Sequence, residues 1–326
     1  MRPALRFFAA AAAACVVSGW QLGVVAPPAE ASIAPGQLTA ATGPSGVIAA
    51  AGELADVTTG KLLWTRNGNS ERPMASITKV MTAVVVIDSG YLNRKITVTQ
   101  AAVAYGQPYD ASEAGLFAGD VLTARQLLEG LLLPSGADAA YMLATTYGPG
   151  WPAFVRRMNA TARKLGMTRT HYANFDGLPW PTEYSTYSTA TDLVKLATAA
   201  MKLAVFRQIV AQRSYSIAAT SAHHYYHWTN TNLLLGSYRG AIGIKTGYTL
   251  GAGYCLLFAA RRDRIELFGV VLGSTVTDPG MRFTAATLLL NWGFKTADPA
   301  SAKPARSGHD VRRHRRLAAS QPGDGG

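Results

Sequence analysis

The sequence predicts an α+β fold in which one antiparallel sheet is built from both ends of the chain and a helical half is inserted between them. Three observations predict it. Apolar runs of strand length, split by short polar turns, occupy both ends of the body, and the stretch between them carries apolar residues at helical spacing. With 48% hydrophobic and only 15% charged residues over 326 positions, the chain has the apolar surface for a sizeable core, which excludes an intrinsically disordered protein.

Before the body, Arg2 and Arg6 are followed by an apolar run from Phe7 to Val25 and then by Pro27-Pro-Ala-Glu-Ala31. A charged start, an apolar stretch and a small-x-small site predict a secretory signal peptide over residues 1–31, cut after Ala31. An uncleaved membrane anchor is the competing reading of the same run. A linker at 32–45 and an exported body at 46–297 follow. Cleavage removes Cys15 and leaves Cys255 alone, so neither an intrachain disulfide nor a cysteine metal cluster is expected. Cys255 lies in an apolar run and reads as a small core residue of a strand.

Gly46 to Asp56 and Lys61 to Arg66 read as two strands joined by a turn containing Gly60. Ser76 to Ile87 is too long and too apolar for most strands and is stopped by Gly90, which predicts a buried helix with Ser76 on its first turn. From Thr97 to about Val210 the pattern is mostly helical: Thr123 precedes Ala124 to Leu133, Trp151 to Leu165 has helical spacing, and Thr189 caps Ala190 to Leu203. Strands return at Gly253 to Ala260 and Ile265 to Gly273, split by the charged turn Arg261-Arg-Asp-Arg264. Pro279 to Trp292 reads as a closing helix.

The net charge of +12 first suggests a nucleic-acid partner. Its placement argues otherwise. Residues 298–326 are rich in Pro, Gly, Ser and Ala and read as a disordered tail, and from Pro299 onward they hold six Lys or Arg against two Asp. An exported basic tail meets anionic envelope polymers rather than nucleic acid.

Three short segments carry candidate chemistry. In Ser76-Ile-Thr-Lys79 a helix would bring the Lys79 amine to the Ser76 hydroxyl, and a buried lysine of lowered pKa can take a serine proton. In Pro134-Ser135-Gly136-Ala137-Asp138 a serine follows an apolar helix on a tight loop, where it either enters a cleft or caps the next helix. In Ile244-Lys245-Thr246-Gly247-Tyr248 an edge strand offers a cation and a hydroxyl to a carboxylate, and its glycine lets a ligand approach the backbone. Each alone is an ordinary helix face, cap or turn, because motifs this short recur by chance.

Together, and in this order, the three segments resemble the active-site set of penicillin-recognising serine enzymes. Pro73 to Thr82, Leu131 to Ala140, Met158 to Met167, Asn174-Phe-Asp-Gly-Leu178, Gly243 to Gly247 and Gly251 to Tyr254 extend the resemblance to the serine-type D-alanyl-D-alanine carboxypeptidases, the low-molecular-mass penicillin-binding proteins. It spans roughly Gly46 to Phe294 and implies the β-lactamase-like version of the α+β fold.

The resemblance implies Ser76 as acyl-forming nucleophile, Lys79 as its proton acceptor and Ser135 as a proton relay. It implies Lys245 and Thr246, followed by Gly247, as the site that holds the substrate carboxylate, and the N–H groups of Ser76 and Tyr248 as the oxyanion hole. Peptidoglycan stem peptides would be the substrate and β-lactams acylating inhibitors, with no cofactor and no metal. One departure stands out: where the family pattern has asparagine, this chain has Ala137, and one lost hydrogen bond costs on the order of 1–3 kcal/mol. A catalytically weakened wall- or penicillin-binding homologue is therefore the alternative. A class A β-lactamase would need a deacylating glutamate, and only Glu183 falls in the right stretch, without the asparagine that accompanies it. His223-His-Tyr-Tyr-His227 resembles a zinc helix but lacks the glutamate, and surface histidines are the better account.

Overall fold

The computed structural model describes residues 43–297, so the expected signal peptide, most of the linker and the basic tail lie outside the described residues. The chain starts with a hairpin, β1 (Ala51–Asp56) and β2 (Lys61–Arg66), then passes through β3 (Arg72–Pro73) and a 3-10 turn over Ala75–Thr78 into α1 (Lys79–Ser89). The short strands β4 (Lys95–Thr97) and β5 (Val121–Thr123) pair around α2 (Gln100–Tyr105). Helices α3 (Ala124–Leu132), α4 (Ala137–Tyr147) and α5 (Trp151–Lys164) follow, and β6 (Tyr187–Ser188) pairs back to β3. After α6 (Ala190–Ala200), α7 (Ala204–Val210), the hairpin β7 (Ser214–Ile217) and β8 (Tyr226–Thr229), and one turn of helix α8 (Leu234–Ser237), the chain returns to the sheet. There β9 (Ala241–Thr249), β10 (Gly253–Arg262) and β11 (Ile265–Leu272) precede the closing helix α9 (Met281–Ala297).

The main sheet has the order β2-β1-β11-β10-β9 and is antiparallel throughout. Its centre joins the two ends of the body, with Ala51 opposite Leu272 and Asp56 opposite Leu267. Side chains alternate across a strand, so each inner strand feeds two cores. Leu256 and Phe258 of β10 face one core with Leu289 and Leu290 of α9, while Cys255, Leu257 and Ala259 face the helical half. Burying a side chain such as Phe258 stabilises the fold by about 1.5–3 kcal/mol. Cys255 is a free, buried thiol, pushed up to about 11 by burial, as a core residue would be.

At the centre of the helical half lies α1, buried from Lys79 to Val86 and packed against α3, α4, α5, α6 and α7. Sequence signals set several helix ends. Thr123 and Gln126 form a reciprocal capping box at α3, Thr189 caps α6, and Gly90 stops α1 with φ +72.

Some boundaries differ from the sequence expectation. Ser76 lies in the 3-10 turn rather than on an α-helical first turn, because Ala75 takes φ +48 and the regular helix starts only at Lys79. Strand β1 begins at Ala51 instead of Gly46, and α6 ends at Ala200 because Leu203 already caps α7. The mostly helical middle also contains β4, β5 and β6, runs of two or three residues too short to show a period.

The three histidines do not converge. His224 bonds to Asp120, with Nδ1 at 2.9 Å from Oδ1, His227 Nδ1 bonds to Ser216 Oγ, and His223 bonds to the His224 carbonyl. No cluster of side chains suited to a metal ion occurs among the described residues.

Candidate active site

Between the helical half and strand β9 lies a cavity of about 460 Å³ whose wall includes Ser76, Lys79, Ser135, Thr246, Gly247 and Tyr248. Six of the seven residues singled out from the sequence thus meet in one place. The seventh, Lys245, is buried just behind the wall, where its Nζ donates to the Thr246 carbonyl at 3.1 Å.

Close backbone contacts on two sides hold the Ser76 turn. From the loop before β6, Gly177 comes so near that a Cβ on it would stand 1.9 Å from the Ala75 carbonyl oxygen, and its own φ is +84. From the sheet, a Cβ on Gly247 would stand 2.8 Å from the Met74 oxygen and 3.2 Å from the Ser76 nitrogen. Only glycine permits both approaches. Between them Ala75 adopts a left-handed conformation that a non-glycine residue keeps only when its surroundings impose it.

Lys79, only 1% exposed, donates from Nζ to Ser76 Oγ at 2.9 Å and to the Asp176 carbonyl at 3.1 Å. Burial lowers its pKa, opposed by the negative charges of Asp176 and Asp138. Lys245 is held well below the ordinary lysine range by burial, with the positive charges of Lys79 and Arg282 acting the same way. A hydroxyl held by a buried amine of reduced basicity is the arrangement that makes a serine nucleophilic, since the amine can take its proton.

Ser135 follows α3 on a tight turn, with φ +73 and 4% exposure. It does not cap the next helix: α4 starts at Ala137, with Gly136 at its cap position. Ala137 is fully buried and brings no polar atom to Lys79. Its neighbour Asp138 turns away, accepting from the N–H groups of Ala114, Leu116 and Ala139 at 2.8–3.0 Å. The segment after β8 ties this turn to the sheet, since Thr231 N–H donates to the Leu133 carbonyl and its hydroxyl lies 2.6 Å from that of Thr246.

One charged residue at the cavity, Arg282, had no role in the sequence reading. Arg282 reaches in from α9, donating to the Gly247 carbonyl at 3.3 Å and lying 5.0 Å from the centre of the Tyr254 ring. No spacing in the sequence links it to Ser76. Glu183 accepts from the Thr249 hydroxyl and packs where a side chain on Gly251 would sit, which pins the β9–β10 turn at the rim. The loop carrying Asp176 and Gly177 is organised by Asn174, whose side chain accepts from Gly177 N–H and donates to the carbonyls of Leu178 and Trp180. Asn174-Phe-Asp-Gly-Leu178 was visible as a motif, but not what its backbone does.

Chemically, the site offers the Ser76 hydroxyl beside the buried Lys79 amine, a second hydroxyl on Ser135, the buried amine of Lys245 on β9, and the Arg282 guanidinium. Comparison with known proteins bears on the reaction. The family model described as D-alanyl-D-alanine carboxypeptidase matches residues 39–276. The chain is 41% identical over 268 residues to a D-alanyl-D-alanine carboxypeptidase of a Streptomyces species, covering 78% of this chain and 90% of the relative. It is 39% identical over 249 residues to one from Mycobacterium tuberculosis, covering 76% and 83%. Among solved structures, a Streptomyces DD-transpeptidase superposes with a TM-score of 0.73 at 41% identity, over 78% of this chain and 99% of that one. The D-alanyl-D-alanine carboxypeptidase of Mycobacterium tuberculosis gives 0.70 at 36%, over 81% and 96%.

Proposed function

Because the chain belongs to the D-alanyl-D-alanine carboxypeptidase family of serine peptidases, we propose that it removes the terminal D-alanine of peptidoglycan stem peptides through an acyl-enzyme on Ser76. The hydrogen bond from Lys79 Nζ to Ser76 Oγ at 2.9 Å, made by an amine whose basicity burial reduces, is the observation that carries the reading.

Lys79 takes the Ser76 proton as Oγ attacks the carbonyl between the two D-alanines, and the N–H groups of Ser76 and Tyr248 receive the oxyanion. Ser135 gives its hydroxyl proton to the departing D-alanine amine and takes the one held by Lys79, which leaves Lys79 free to accept a proton from the attacking water. Lys245, Thr246 and Arg282 favour a substrate ending in a carboxylate. Water then releases the acyl group and restores Ser76. β-Lactams enter the same acylation and deacylate slowly, since Glu183, the one glutamate in the right stretch, lacks the companion asparagine and holds the β9–β10 turn through Thr249.

The test is release of D-alanine from a D-Ala-D-Ala peptide, compared between wild type and Ser76→Ala. The variant should lose roughly 10³-fold or more, and also covalent labelling by a fluorescent penicillin. A wild type that binds penicillin but releases no D-alanine would replace this reading with that of a non-catalytic binding homologue, which the missing amide at Ala137 makes a specific alternative. Export is part of the proposal, and N-terminal sequencing of the mature chain tests it: a start at Ser32 agrees, and a start at Met1 overturns cleavage.

A further inference from the structure

The ammonium that forms when Lys79 takes the Ser76 proton is buried and has three donors to satisfy. Two acceptors are in place, Ser76 Oγ and the Asp176 carbonyl. The third cannot come from position 137, where a methyl group stands in place of an amide. Nor does Asp138 supply it, since its carboxylate is engaged by three N–H groups.

Asp176 shows the complementary deficit. Its carboxyl group is completely buried, Oδ1 accepts from Leu178 N–H at 3.1 Å, and Oδ2 closes no hydrogen bond. A buried carboxylate with a free oxygen is costly unless a charge lies near, and the near charge is Lys79, whose Nζ donates to the backbone carbonyl of this same residue and acts on its carboxyl group across more than 4 Å.

We propose that Asp176 is a positioning partner of Lys79: its backbone carbonyl holds the amine, and its side chain supplies the negative charge that stabilises the ammonium formed during acylation, in place of the amide absent at Ala137. The inference rests on Lys79 being the base. Besides Asp176, Asp138 from α4 acts on Lys79, and Lys79 in turn acts on Lys245 of β9. Facing Asp176 are Lys79 from α1 and the Tyr105 hydroxyl from α2, which accepts from Trp180 Nε1 at 2.9 Å. Burial presses the Asp176 carboxyl upward, while Lys79, Leu178 N–H and Tyr105 favour its ionised form. Its charge in turn opposes the loss of basicity that burial imposes on Lys79.

The sign of the test follows. With Asp176→Asn the opposing charge is gone, so Lys79 is deprotonated at lower pH but is a weaker base. The acid limb of the second-order acylation rate with a fluorescent penicillin should move to lower pH, and the plateau should fall several-fold. Adding Ala137→Asn to Asp176→Asn should recover part of the plateau, which a purely structural defect would not allow. An unmoved limb, or a uniform loss at every pH without rescue, overturns the proposal. If Asp176→Asn does not fold, Asp176→Glu takes its place: the charge is kept, so a shifted limb overturns it. Failure of the wild type to label at Ser76 would instead strike the reading of the reaction itself.

Discussion

The two walls of the cavity are built on opposite terms. On the helical side, Lys79 and Ser135 are 1% and 4% exposed, the backbone is left-handed at Ala75 and Ser135, and the Ser76 turn is gripped by neighbouring chain. On the sheet side, β9 is an edge strand, and its end carries Tyr248 and Leu250 at 40% and 78% exposure. A buried wall can strain a backbone and shift a proton affinity, because water cannot relax either. An edge with free backbone groups can meet a peptide, while the inward face of the same strand still lowers the basicity of Lys245, which is 1% exposed. The difference teaches that reactivity and recognition are separable here, and substitutions on each side should fail differently.

The largest effect should come from Gly177→Ala on the buried side. Its Cβ would press on the Ala75 carbonyl at a left-handed residue, which should cost about 3 kcal/mol of stability and displace Ser76. Urea unfolding and D-alanine release should fall together, and a stable, active variant would show that the grip on the nucleophile is looser than its contacts suggest. A smaller, selective effect is expected from Lys245→Ala. Loss of a charge-assisted contact should lower kcat/KM roughly 10–100-fold for peptides ending in a free carboxylate and much less for the amidated peptide. An equal loss on both peptides would move Lys245 from recognition to chemistry. Ala137→Asn alone should have the smallest effect, leaving hydrolysis within about threefold of wild type, because Asp176 already stabilises the Lys79 ammonium. A rise of about tenfold or more would say that the role of the amide stands empty.

Much of this was legible in the sequence, and the limits have physical causes. Continuous apolar runs in β10 and β11 announced buried strands, and Thr123 and Thr189 announced the helices they cap. Ser76, Lys79 and Ser135 could be named because their order along the chain is informative even where each motif is weak. The 3-10 turn at Ser76 could not be read, since Ala75 owes its conformation to Gly177 and Gly247, about 100 and 170 residues away, rather than to its neighbours. Arg282 was hidden for a similar reason: a lone arginine at the start of α9 has no local signature, and only the fold carries it to Gly247.

The pairing of β1 with β11 carries a consequence for how the molecule is made. Ala51 meets Leu272, so the sheet cannot close until almost the whole body has been synthesised. Contacts this distant in sequence form slowly, because a long loop must be closed before they are rewarded. A chain whose two ends meet late completes its sheet late, which suits the export proposed above, because a chain is threaded through a translocation channel before it folds. The topology that seats β9 against the Ser76 turn thereby also delays folding until the polypeptide is nearly complete.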